Sequence, residues 1–115
     1  MTAIVQVEFR PSILVLREEL LHSLGHPVVS VLGAETARTI DLSDREVGVV
    51  VIGHGAPWRE RCDLVAYFRE TLSVVPIVVL LRHKEEPIGG ADFYCPADSP
   101  PEWIRTVQQT LVGIQ

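Results

Sequence analysis

Residues 47–59 read VGVVVIGHGAPWR, and this stretch decides the architecture. Val47–Ile52 is a continuous apolar run rich in β-branched residues. It is too short for a membrane span and suits a strand covered on both faces. Gly53-His54-Gly55 breaks the run. Pro57 then precedes a helix expected to reach about Leu72, with Trp58, Cys62, Val65, Phe68 and Leu72 on its inner face. A doubly covered strand followed at once by an amphipathic helix is the unit from which parallel sheets with helices on both faces are built.

The same unit recurs on either side. Toward the N-terminus, Ile4–Glu8 reads as a strand, and Pro11 opens a helix to Leu24 with Ile13, Leu16, Leu20 and Leu24 inward. Gly25 ends that helix, as a left-handed cap requires. Val28–Leu32 is a short strand, and Ala34–Leu42 a helix burying Ala34, Ala37 and Ile40. Toward the C-terminus, Pro76–Leu81 and Phe93–Cys95 read as strands, and Pro101–Val112 as a helix with Ile104, Val107 and Leu111 inward. Ser99-x-x-Glu102 with Pro100 and Pro101 marks the start of that helix. Between the last two strands, Arg82–Gly89 carries Pro87 and Gly89 as breakers, so the fourth helix is expected to be shortened or missing. The prediction is an α/β protein of one domain, residues 1–115. Its fold is a flavodoxin-like three-layer sandwich with a five-stranded parallel sheet of order 2-1-3-4-5.

Composition narrows the function. A chain of 115 residues with 47% hydrophobic and 22% charged residues has the balance of a soluble globular protein. The formal net charge of −5 argues against non-specific binding to nucleic acid or to an anionic membrane surface. Met1–Arg10 has no basic segment ahead of a long apolar stretch, which predicts no secretory leader. Cys62 and Cys95 share no short metal-ligand spacing and read as reduced thiols of a cytoplasmic protein. In this architecture ligands and chemistry sit at the carboxyl ends of the strands. That selects Glu8–Arg10, Gly53–Pro57, Leu81–Lys84 and Cys95–Asp98.

In its punctuation the chain resembles a response-regulator receiver domain over nearly its whole length. The landmarks are Pro11 after the first strand, Gly25-His26-Pro27-Val28-Val29 at the first helix-to-strand turn, and Pro57 beyond the third strand. Val75-Pro76 before the fourth strand and Gly90-Ala91-Asp92-Phe93-Tyr94 before the fifth complete the set. The resemblance implies a two-component signalling module. In a working receiver an aspartate after the third strand takes the phosphoryl group, and an acid pair after the first strand helps to hold Mg²⁺. A hydroxyl after the fourth strand and a lysine after the fifth contact the phosphoryl oxygens.

Carried over residue by residue, that machinery is gone. The acid pair falls on Glu8 and Phe9, and the nucleophile on Gly53, or on His54 with a shift of one. The hydroxyl position falls on Leu81 and the lysine on Ala97, with Asp98 where a proline normally follows. No Asp or Glu lies between Val47 and Arg59, so no acyl phosphate can form there. A lone carboxylate beside a phenyl ring is a poor site for Mg²⁺, which prefers several hard oxygens. The expectation is a pseudo-receiver, not an enzyme, with no cofactor and no metal. It would act through protein partners: a histidine kinase or another response regulator, with a homodimer left open. The family's dimer through the fourth helix does not carry over directly, because that helix is curtailed.

Other residues carry weaker readings. Gly53-His54-Gly55 is similar to the metal-binding histidine loop of small cobalt chelatases, although those enzymes carry it after their first strand. It supports the alternative of a small-molecule or metal-binding α/β domain, with His83 near His54; a plain turn histidine is the simpler account. Trp58 is either an exposed anchor for a partner or packed on its own sheet. Cys62 reads as a core filler, and Cys95 sits beside the degenerate pocket. Glu18-Glu19 and Glu85-Glu86 read as solvated surface charges. If Phe9 and Leu81 desolvate Glu8, its pKa should rise.

Overall fold

The structure, a computed structural model, describes residues 2–112. Its elements follow the order β1 (Ala3–Glu8), α1 (Pro11–His22), β2 (Val28–Leu32), α2 (Ala34–Thr39), β3 (Val47–Ile52), α3 (Trp58–Thr71), β4 (Ile77–Leu81), β5 (Phe93–Pro96) and α4 (Pro100–Val112). All pairings are parallel, and the strand order is β2-β1-β3-β4-β5, as the sequence predicts.

The pleat of the strands divides the core in two. Val5, Val7, Val50, Ile52, Ile77 and Val79 face α2 and α3, where Ala34, Ala37, Leu64, Val65 and Phe68 meet them. Ile4, Val49, Val51, Val78, Leu80 and Cys95 face α1 and α4, against Leu21, Trp103, Val107 and Leu111. Because both faces are covered, the central strands carry near-continuous apolar runs. That is why β3 was legible.

The helices depart from expectation in phase more than in position. In α1 the buried residues are Arg17 and Leu21, whereas Leu16 is half exposed. In α3 they are Arg61, Leu64, Val65 and Phe68, whereas Trp58 is exposed and Cys62 only partly buried. In each helix an arginine holds a central inward position. A hydropathy pattern reads arginine as solvent-facing and so rotates the apparent inner face by about one residue. In α4, Trp103 joins Val107 and Leu111 inside, with Ile104 at the border.

Helix α2 stops at Thr39 instead of Leu42. Ile40 is extended at φ −66° and ψ 137°, and Asp41 Oδ1 accepts from the backbone N–H of Ser43 at 2.9 Å. That local turn competes with helix continuation.

Arg82–Asp92 crosses from β4 to β5 as a loop, in line with the expected loss of the fourth helix. It has its own anchors. Ile88 is fully buried in the α2–α3 side of the core. The Trp58 indole N–H donates to Glu86 O at 2.9 Å, and Arg69 Nη2 donates to Asp92 Oδ2 at 2.7 Å. Lys84 takes a positive φ of 61° at the loop's tight corner.

Candidate functional site

Register explains the centre of the site. Val7 of β1 lies opposite Ile52 of β3, so the next pair along is Glu8 and Gly53. Both point to the α1–α4 side, since successive strand residues alternate faces. A Cβ added at Gly53 would lie 2.0 Å from Glu8 Oε1 and 2.4 Å from its Cδ. The Glu8 carboxylate therefore occupies the volume that a side chain at position 53 would need.

That carboxylate is only 1% exposed, and Arg17 holds it from α1. Arg17 Nη1 donates to Glu8 Oε2 at 2.6 Å. Nη2 bonds to His54 Nδ1 at 3.2 Å and reaches Ala97 O at 3.5 Å, and the guanidinium lies 5.8 Å from the Trp103 ring centroid. One buried cation thus ties the ends of β1, β3 and β5 to α1 and α4. Burial pushes the Glu8 carboxyl above its usual range, and the Arg17 guanidinium opposes that shift.

Because a guanidinium only donates, His54 Nδ1 is the acceptor and the neutral ring carries its proton on Nε2. Burial, followed by the positive charges of Arg17, Arg82, Arg61 and Arg10, holds His54 below the ordinary imidazole value of 6.5. The folded protein therefore takes up fewer protons than the unfolded chain as pH falls through that value, so stability is present above it and lost below it. Urea unfolding at about pH 7.5 and about pH 6 should show this loss in the wild type and a smaller one in His54→Gln. Equal losses in the two proteins would remove His54 from the account.

The remaining pocket positions surround this cluster. Phe9 packs on the α2–α3 side of the core, and its Cβ lies 3.2 Å from a Cβ added at Gly55. Leu81 is partly buried at the end of β4, and Ala97 N–H donates to its carbonyl at 2.9 Å. His54, Leu81, Arg82, His83, Ala97 and Asp98 line a cavity of about 220 Å³. The structure thus brings together Glu8, Gly53, His54, Leu81 and Ala97. Phe9 turns to the opposite face of the sheet.

Trp58 answers neither of its two sequence readings fully. It is 40% exposed, yet its indole N–H is engaged by the β4–β5 loop. Cys95 is buried, and burial raises its thiol pKa, which favours an inert thiol. Two surface readings are corrected. Glu85 accepts from the fully buried Arg61, which also donates to Ala56 O at 3.0 Å and Leu80 O at 3.4 Å. Burial works to raise the Glu85 carboxyl, but the bonds from Arg61 and the Arg82 N–H prevail and hold it below its usual range. Glu18 accepts from Ser30 Oγ at 2.6 Å, and Ser30 in turn accepts from the buried Gln6 at 2.8 Å.

Sequence reasoning missed Arg17, Arg61 and Glu85. The available signal was an arginine recurring inside an otherwise apolar helical stripe.

Metal binding by the histidine loop meets an obstacle. The Arg17 guanidinium takes Nδ1, and Nε2 then holds the proton, so no ring lone pair faces outward. Among the described residues, no group of three or more His, Cys, Asp or Glu side chains is arranged to hold a metal ion. Among the same residues, no helix is long and apolar enough to cross a membrane.

No protein-family model matches this chain. No curated protein matches it either. Solved structures do. A response-regulator receiver domain protein from Clostridium thermocellum superposes with a TM-score of 0.83 at 14% identity, covering 99% of this chain and 97% of that one. The receiver domain of the sensor histidine kinase PA1611 from Pseudomonas aeruginosa, solved with magnesium coordinated in its active-site cleft, gives 0.80 at 21% identity, covering 96% and 98%. A complex of the histidine kinase ThkA with the response regulator TrrA, a Thermotoga maritima protein, gives 0.79 at 20% identity, covering 96% and 99%. Strand order, the helices on both faces and these superpositions agree: the chain has the fold of the response-regulator receiver domain.

Proposed function

We propose that this chain is a pseudo-receiver: a non-enzymatic signalling module that acts through protein contacts without aspartyl phosphorylation. The observation that carries the proposal is the Glu8 carboxylate standing in the side-chain volume of Gly53, clamped by Arg17. At the position matching the phosphoacceptor there is neither a nucleophile nor room for one. The neighbouring carboxylate already has a permanent internal cation, and Mg²⁺ would have to displace a guanidinium bonded to a single acid. Leu81 and Ala97 supply no hydroxyl or ammonium for phosphoryl oxygens.

The partners proposed are a histidine kinase or another response regulator, by analogy with the ThkA–TrrA complex. Exposed Trp58, at the start of α3 and held by the β4–β5 loop, is a suitable contact for either. A buried Cys95 and a half-buried Cys62, both free, fit a reducing cytoplasmic setting.

Incubation with acetyl phosphate and Mg²⁺ should leave the intact mass unchanged. Beryllofluoride with Mg²⁺ should leave the amide signals of Gly53 and Ala97 in place. A mass gain of one phosphoryl group, or saturable Mg²⁺-dependent shifts at those amides, would falsify the proposal.

A further inference from the structure

At the opposite end of the sheet, the early end of α2 leaves a hollow beside the last turns of α3. Ala37, Ile40, Leu42, Ser43, Tyr67, Phe68, Thr71 and Leu72 line a cavity there of about 240 Å³. An apolar cavity of about 150 Å³ is enough to take up benzene, so this one has room for a single substituted ring. Tyr67 and Phe68 meet edge to face, with centroids 5.4 Å apart and ring planes at 71°, so the wall already presents an aromatic corner.

The polar groups of the wall define the ligand further. Ser43 Oγ donates to Asp41 Oδ1 at 2.6 Å, Tyr67 Oη to Arg38 O at 2.9 Å, and Thr71 Oγ1 to Tyr67 O at 2.9 Å. Each hydroxyl has committed its single proton to the chain and retains lone pairs. The wall can therefore accept hydrogen bonds but has no hydroxyl proton left to donate. None of its residues is an acid, a base or a histidine.

We infer that this cavity is a binding site for a small, neutral aromatic molecule bearing a hydroxyl donor, a phenol in the simplest case. The site is separate from the degenerate pocket and goes beyond the pseudo-receiver reading. Helix α3 runs from the Arg61–Glu85 pair to the cavity wall at Phe68.

Titration of the full chain by amide NMR, with phenol, toluene and benzoate as probes, tests the inference. Phenol should give saturable shifts at Ala37, Ile40, Phe68 and Leu72 and bind about five-fold more tightly than toluene, which matches its shape but lacks the donor. Benzoate, which carries its charge into a wall without a counter-ion, should give no saturable shift. Thr71 and Ser43 are exposed, so Thr71→Val and Ser43→Ala should fold normally. At least one of them should abolish the preference for phenol. Absence of saturable shifts, tighter binding of toluene, benzoate binding equal to phenol, or an unchanged preference in both variants would each overturn it.

Discussion

Replacing Arg17 with methionine should cost about 3–5 kcal/mol of folding stability near neutral pH, because it strands a buried carboxylate. Glu8 is 1% exposed and has Arg17 as its ion-pair partner at 2.6 Å. Methionine fills most of the arginine's path but offers nothing to the charge. Glu8 in the variant would respond by taking up a proton. Its pKa is already raised by burial from an ordinary value of 4.5, and losing the guanidinium moves it further in the same direction. An acid with a raised folded pKa weakens the fold only above its unfolded value, so the deficit of Arg17→Met should shrink as pH falls toward 4.5. Adding Glu8→Met should restore most of the loss, because a well-packed apolar pair is often as good as a buried ion pair. Urea midpoints for the two single variants and the double variant close the cycle. A cost below about 1 kcal/mol for Arg17→Met would mean that the pair contributes no more than a surface salt bridge.

Placing an aspartate at position 53 should be at least as damaging, at about 4 kcal/mol or more. Two effects add. The new Cβ falls within 2.0–2.4 Å of the Glu8 carboxylate, which must leave a position that Arg17 and full burial impose. A second carboxylate then competes for one buried cation, and like charges at that distance cannot both stay ionised. Gly53→Ala should show the same sign with a smaller loss, since it keeps the collision and omits the charge. Removing the obstruction should recover much of the stability. In the double variant Glu8→Ala, Gly53→Asp, the carboxylate is moved to the neighbouring strand, still facing Arg17. Chemical denaturation of the three proteins decides the matter. If Gly53→Asp alone stays within about 1 kcal/mol of the wild type, Glu8 is free to move aside and the filled-pocket account is wrong.

These two expected outcomes bear on the pseudo-receiver proposal. On the resemblance to receivers, the carboxylate, hydroxyl and lysine positions fall on Gly53, Leu81 and Ala97, which reads as simple loss. In the structure that space is filled. Glu8 fills the side-chain volume at position 53 and has Arg17 of α1 as its counter-ion. A second buried arginine, Arg61 of α3, pairs with Glu85 and fastens the β4–β5 loop. In both places a hydrogen-bonded ion pair satisfies groups that burial would otherwise leave at high cost.

Much of the molecule was legible from local pattern alone. The apolar runs at Val47–Ile52 and Pro76–Leu81, punctuated by Pro57 and Gly25, marked the strands, and their alternation with helices implied a parallel sheet. The 2-1-3-4-5 order was the flavodoxin-like arrangement that five such units fit. A strand buried on both faces must be apolar throughout, and the chain turns only where glycine and proline permit or enforce it. The absence of a carboxylate between Val47 and Arg59 likewise needed no coordinates. Tertiary structure alone decided which way α1 and α3 face and what fills the site. Arg17 and Arg61 point inward because Glu8 and Glu85 wait there, from 9 and 24 residues away in the chain. A charge is placed inside by its partner, and no periodicity within one helix records where that partner lies.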